Sequence, residues 1–521
     1  MFKDIGLLWG INKCAAIHIK RGKLQTGQPA GLPLGSGKEI ALLGEGDYYK
    51  FLGKFESVTQ LEKEVQKAAS KEYIRRLSVI WSTPLSITRK IKATNTFAVP
   101  VLLYHMWTTE WPISDLKELD RKTRQVMNEN KCKHKHESNP LLYLPFSKGG
   151  KGMQELETLY KVTKIKTAHY LTASEDPHVQ LVSSFQSYKE RKSLRSIIKD
   201  AKVFASHLNM DIKFDNVERK TTLKSCSSVA EIYKCQPRHI KTMLKKEVER
   251  KYQEEVKQQP WVGQYVTNQW QDKDLHHESY NILNIWRNIP NVVYSVHTGI
   301  VQQLISTKVY EVKKLKGEQR DLNCRFCHTK EENIPHILCS CPAIAQTLYK
   351  SRHDRMLRPI YHEILNTVGL HQDKESTPWY KELQPKSCVE NENAKILWDI
   401  PIHQDIAPRN GANKPDILLQ NKKEKQWIVV EGTVCNIGQI NERDRMKTEK
   451  YTDLRSSLKR LYPDHEIIQI NIVFDFLSGF HKDLVNKLQR VGLSNVPELL
   501  RKCQRWIISQ NCEIIKAFYT A

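Results

Sequence analysis

A chain of 521 residues, 40% hydrophobic and 8% aromatic, is too long for one ordinary core and too apolar for a disordered protein, so several folded domains are expected. Its 82 Lys and Arg against 58 Asp and Glu leave a net charge of +24, which points to a polyanion such as nucleic acid, whose phosphates release counterions when basic side chains neutralise them. The longest apolar run, 97–104, is broken by Pro100 and falls far short of the roughly 20 residues a bilayer span needs, so no membrane partner is expected.

In chain order, residues 15–19 and 48–52 read as short strands flanking a Gly- and Pro-rich loop, the second closing at Gly53. Met1 stands directly against apolar Ile5, Leu7 and Leu8 with no basic region, apolar stretch and cleavage site. The protein is therefore expected in a reducing compartment, nuclear or cytoplasmic and not secreted, and its abrupt start reads as a chain opening inside a domain. From Ser57 to about Leu171 the spacing predicts helices, with stops near Pro84, Pro100, Pro112 and Pro140. Residues 199–316 read as largely helical and strongly basic. Lys245, Lys246 and Arg250, with Lys241 and Lys251 beside them, are candidate phosphate contacts there. Trp261, Tyr265, Trp270, Trp286 and Tyr294 recur in the same segment and are expected in a core rather than stacked on bases.

Cys324, Cys327, His336 and Cys341 form the pattern C-x2-C-x8-H-x4-C. Two thiols separated by two residues chelate one ion from a tight turn, and a later His and Cys complete a closed tetrahedral zinc site. Such a small fold takes much of its stability from the metal. Cys339 competes for the fourth position, and Cys341 is preferred for its longer, less strained reach. Cys132, His134 and His136 lack a second cysteine pair, and His276 and His277 are adjacent, so neither group is assigned a metal.

After a polar stretch, 371–393, the last segment reads as an α/β module: strands at 416–419, 427–430 and 467–476 around a long helix, 442–461, with two helices closing the chain. If Asp416 lies opposite Glu431 in a hairpin, Ile417 faces Val430, Leu419 faces Ile428, and the polar residues 420–426 form the loop. Opposed residues share a face with Cβ atoms about 5 Å apart, so the carboxylates converge. Converging hard oxygens suit Mg2+ or Mn2+, which acidifies water and neutralises charge on a phosphate. Lys447, Lys450 and Tyr451, spaced i, i+3 and i+4, can present one helix face to that hairpin. In the usual restriction-enzyme arrangement a lysine stands two positions after the second acid; Thr433 is there, so the lysine must come from the helix.

The order is specific: the C-x2-C-x8-H-x4-C knuckle, then Arg352-His353-Asp354, Pro415-Asp416, Val429-Val430-Glu431, and Lys447-x-x-Lys450-Tyr451. This succession resembles the C-terminal region of site-specific non-LTR retrotransposon proteins, whose nuclease is restriction-like. Upstream, Ile5-Gly6-Leu7 with Lys13-Cys14, and Tyr49-Lys50-Phe51-Leu52-Gly53, resemble the last palm motifs of that family's reverse transcriptase, and Leu144-Pro145 with Gly149-Gly150-Lys151-Gly152 resembles a segment in or after its thumb.

The resemblance implies a multidomain α+β and α/β chain: residual palm over 1–55, a helical thumb-like region over 56–175, a basic helical linker over 176–318, a zinc knuckle over 319–360, and a restriction-endonuclease-like domain over 380–521. It makes Asp416 and Glu431 magnesium or manganese ligands, Lys447 the catalytic lysine with Lys450 and Tyr451 assisting, and Arg352 and His353 DNA contacts near the knuckle. It implies nicking of target DNA for target-primed reverse transcription, with DNA and element RNA as partners and a homodimer as one state. The family's polymerase needs paired aspartates, and no Asp-Asp dipeptide occurs here, so polymerase activity is not expected from this chain. Glu431 stands where an aspartate is common. The competing expectation is a catalytically inactive DNA- or RNA-binding remnant.

Overall fold

The protein, a computed structural model, is described at residues 10, 14–21, 23–25, 31–34, 38–51, 54–56, 61–225, 229–233, 237–286, 288–315, 321–370, 378–381, 383–404 and 411–521. Leu52, Gly53, Lys13 and the Ile5-Gly6-Leu7 motif lie outside these residues, whereas Tyr49–Phe51 is a strand paired with Lys54–Glu56. The fold mixes helices with several small sheets. No helix among the described residues is long and apolar enough to cross a membrane.

The chain divides into two compact units, Met1–Thr83 with Lys92–Met127 and Gln154–Val248, and Pro84–Ile91 with Asn128–Met153 and Glu249–Ala521. In the first, helix Glu62–Ser82 buries Val65, Ala69, Tyr73, Leu77 and Trp81, a four-residue repeat that keeps one stripe in the core. Helix Leu156–Ala173 has no cap from its own Glu155. Instead the Asp120 carboxylate accepts the Leu156 and Glu157 N–H groups at 2.9 and 3.1 Å.

The stretch read as helical from 199 departs from that reading. Met210–Asp215, Lys220–Ser225 and Val229–Tyr233 form an antiparallel three-stranded sheet. The alternation of Met210, Ile212 and Phe214 with polar residues is a period of two, which a helix cannot bury on one side.

The expected boundaries also move in the second unit. Residues 128–153 join it because Glu137 and Lys151 form a buried ion pair that Gln302 completes by donating to Glu137 Oε1 at 3.0 Å. Gly150 sits so close to the chain that a Cβ there would stand 2.0 Å from the Leu144 carbonyl oxygen.

The C-terminal part is a five-stranded sheet of β1 (Cys388–Glu390), β2 (Ala394–Trp398), β3 (Ile417–Asn421), β4 (Gln426–Cys435) and β5 (Glu466–Asp475), in that order. Neighbours are antiparallel except β4 and β5, which run parallel. A parallel pair needs a crossover, and α2 (Ile440–Lys450) with α3 (Thr452–Leu461) supply it. These replace the single long helix expected over 442–461: Tyr451, at φ −103° and ψ 18°, breaks it.

Both faces of the sheet are covered, and strand alternation sorts the apolar residues between them. Ile428, Val430, Ile470 and Ile472 face a core with helix α1 (Lys350–Thr367), α4 (Leu484–Arg490) and α5 (Val496–Thr520). Leu418, Trp427 and Val429 face Tyr451, Leu454 and Leu458. Helix α1, expected with the knuckle, belongs to this core: Met356, Leu357, Ile360, Tyr361, Ile364 and Leu365 recur on one face and pack into it.

Candidate functional site

The knuckle closes through short-range geometry. Cys324 N donates to the Lys330 carbonyl at 2.7 Å and His328 N to the Cys324 carbonyl at 2.8 Å, with His328 at a φ of +56° turning the chain just after the second thiol. The ligand atoms of Cys324, Cys327, His336 and Cys341 all lie within 4.8 Å of one another, so the set can bind a metal such as zinc. The Cys327 thiol sits 3.3 Å from His336 Nε2. Burial would raise that thiol, but the Thr329 hydroxyl, the Thr329 and Lys330 N–H groups and His336 outweigh it and bring it down to about 6. Cys339 is not in this clustered set, and its side chain interacts with that of Arg352 instead. Arg325 fastens the knuckle to α5, pairing with buried Glu332 at 3.0 Å while its guanidinium lies 4.0 Å over the Phe518 ring.

The acid pair is held by the register of β3 and β4. Ile417 opposes Val430 and Leu419 opposes Ile428, so one further pair sets Asp416 against Glu431. Asp416 N donates to Glu431 Oε2 at 3.3 Å. Glu431 is 2% exposed, and its Oε1 accepts Lys447 Nζ at 2.6 Å and Lys450 Nζ at 3.1 Å. Both lysines come from α2, which is pinned to β5 by Gln469 donating to the Lys447 carbonyl and by Asn471 donating to the Asp444 carbonyl. Tyr451 is fully buried; its hydroxyl donates to the Lys414 carbonyl at 2.8 Å and accepts Lys450 Nζ at 2.8 Å. Burial, and then the Glu431 charge beside it, raise its phenol, so Tyr451 stays neutral and places Lys450.

Asp416 Oδ2 accepts His353 Nε2 at 3.0 Å and Gly432 N at 2.7 Å, and among the described residues Oδ1 accepts nothing. Burial alone would raise this carboxyl; the His353 bond and charge, the Gly432 N–H and Lys447 hold it below its ordinary value. His353 also meets Asp354 Oδ1 at 2.9 Å through Nδ1. Burial disfavours its charged ring, but Asp354 and Asp416 dominate and push it up to about 10, the imidazolium form.

Of the two DNA contacts expected near the knuckle, the structure buries one. Arg352 is 2% exposed, donates to Asn511 Oδ1 at 2.8 Å and lies over the Tyr349 ring, so its charge faces the interior. His353 is half-buried, with its two ring nitrogens on Asp354 and Asp416. Lys245 and Lys246 are exposed and Arg250 half-buried on helix Pro237–Lys257. Of the five aromatic residues expected in a core, Trp286 and Tyr294 are buried and Trp261, Tyr265 and Trp270 are half-buried. Sequence reasoning missed Asp399, which pairs with Lys414 at 2.8 Å and Lys350 at 3.4 Å next to the site, and whose N–H donates to the Asp416 carbonyl. It also missed Gln469 and Asn471, whose signal is two amides at i and i+2 in an otherwise apolar strand.

Chemically, the carboxylates offer hard oxygens on one face, with two ammonium groups within hydrogen-bond reach. Comparison with models of protein families gives no match, and comparison with curated proteins gives none either.

Proposed function

We propose that this chain is the C-terminal part of a site-specific non-LTR retrotransposon protein, and that its sheet carries a metal-dependent, restriction-like endonuclease that nicks DNA. The observation that carries this reading is the junction of Asp416 and Glu431 across one hairpin, with Lys447 Nζ 2.6 Å from Glu431. The upstream residues are read as palm and thumb remnants, the Cys3His knuckle as a structural zinc module, and Lys245, Lys246 and Arg250 as part of a phosphate-contacting surface.

In this reading Asp416 and Glu431 hold Mg2+ or Mn2+. Bound there, the cation supplies acidification of water and neutralisation of charge on the phosphate. The protein's own groups do the rest. Asp416 presents Oδ1 while Oδ2 stays tied to His353 and Gly432. With a cation held there, Lys447 and Lys450 would turn from Glu431 toward the scissile phosphate and would stabilise the negative charge that builds on it. Tyr451 keeps Lys450 on the working side of α2.

Supercoiled plasmid incubated with Mg2+ tests the reading. Wild-type protein is expected to convert it to the nicked form, and Asp416→Ala to leave it intact; equal conversion by the two removes the assignment. A second reading, nucleic-acid binding without cleavage, draws on Thr433 standing where a strand-borne lysine is usual. Salt-sensitive binding with no nicking in Mg2+ or Mn2+ supports it.

A further inference from the structure

The His353 ring does more than border the acid pair, and the way α1 reaches the sheet shows why. Gly432 follows Glu431 on β4, and a Cβ there would stand 2.8 Å from Leu357 Cδ1. Leu357 lies one helical turn after His353 on α1, so the missing side chain at Gly432 lets the helix close on the strand. That approach brings His353 Nε2 to 3.0 Å from Asp416 Oδ2, the oxygen that Gly432 N also holds.

The start of α1 is fixed from the other side by the knuckle. Tyr349, the residue before α1, donates its hydroxyl to the Ile337 carbonyl at 2.7 Å and accepts Cys341 N at 3.1 Å, between two of the candidate zinc ligands. Arg352 is buried against the Tyr349 ring and tied to Asn511, which in turn donates to the Phe476 carbonyl. The first turn of α1 is thus gripped by the knuckle, α5 and the end of β5, and its next residue points into the acid pair.

We propose that His353 is a positioning residue that locks Asp416 Oδ2 so that Oδ1 faces the divalent cation, and that the zinc-bearing knuckle sets the place of His353 through Tyr349. This rests on the endonuclease reading. Asp354 Oδ1, 2.9 Å from the other ring nitrogen, fixes the ring so that Nε2 meets Asp416. The role is orientation, and partners that orient a metal ligand are commonly worth about 10- to 100-fold in metal affinity.

The test is Mn2+ binding to the full chain, zinc-loaded, followed by electron paramagnetic resonance without nucleic acid, with zinc content and Tm measured on the same samples. His353→Leu is expected to weaken Mn2+ binding about tenfold. His353→Gln, which keeps a donor toward Asp416 without the charge, should bind within about twofold of wild type, and Tyr349→Phe should weaken binding about threefold with zinc content unchanged. Tm within a few degrees of wild type in these variants separates positioning from lost folding, and the rescue by Gln does so even where Leu lowers Tm. Asp416→Asn is the control for the underlying reading: if it binds Mn2+ like wild type, the acid pair is not the metal site and the endonuclease reading fails. If Asp416→Asn abolishes binding while His353→Leu binds equally or more tightly than wild type, only the positioning role is overturned.

Discussion

Glu431 and Lys447 form the closest charged contact of the site, and their chemistry bears directly on rate. Lys447→Met is expected to cut nicking about 100-fold or more at saturating Mg2+, the usual loss when one preorganised donor to a developing charge is removed. Lys450→Met should cost less, because its side chain is 41% exposed and its ammonium is already shared with Tyr451. Single-turnover nicking rates of the two variants decide the ranking, and equal losses would contradict it. A second residue-scale consequence concerns acid stability. His297 is buried on helix Asn291–Val301, and burial brings its ring down to about 4 from 6.5. The unfolded chain therefore binds a proton between these values that the folded chain refuses, so this contribution to stability is complete above 6.5 and is lost as pH falls toward 4. The loss amounts to about 3 kcal/mol, and His297→Leu should flatten the difference in urea midpoint between about pH 7 and about pH 5 relative to wild type.

Elements, rather than single side chains, decide whether the acids and lysines meet. The contact of α1 with β4 depends on Gly432, and Gly432→Ala would force a methyl against Leu357, which is fully buried and has little room to yield. Overpacking of this kind costs about 1–3 kcal/mol, so Gly432→Ala should lower the unfolding midpoint, and Leu357→Ala in the same chain should restore part of the loss at that contact. The knuckle is a second such element. Its apolar core is shared with α5 through Ile514, Ile515 and Phe518, so metal removal is felt beyond the loop itself. Chelation, or Cys324→Ser, is expected to release the zinc and lower Tm by roughly 5–10 °C, measured by scanning calorimetry alongside zinc content. An unchanged Tm after complete zinc loss would show the knuckle to be held by its packing alone.

At the scale of the whole molecule the charge of +24 sets the behaviour toward polyanions. Binding to a duplex of arbitrary sequence should fall steeply and linearly on logarithmic axes as salt rises, and neutralising Lys245 and Lys246 together should reduce the slope by about 2. An unchanged slope would place the phosphate path elsewhere on the protein.

Much of this architecture is written locally, and for that reason it is legible in the sequence. The knuckle ligands lie between Cys324 and Cys341, so their spacing alone defines a chelate, and the β3–β4 register follows because shifting it by one residue would turn Ile417, Leu419, Ile428 and Val430 out of their shared core face. Lys447 and Lys450 share a face of α2 at their i, i+3 spacing, whereas Tyr451, expected on the same helix face, stands at the break that ends α2. What only the tertiary structure decided involves residues far apart in the chain. The longer reach of Cys341 already favours it over Cys339 in the sequence, and the structure adds that the Cys339 side chain interacts with buried Arg352. Arg352 and His353 read as basic residues near a knuckle, yet α1 packs them inward, one toward Asn511 and the other onto Asp416. Local spacing fixes which side chains share a face; which of two faces meets another segment depends on the packing of helices and strands brought together from the whole of the second unit.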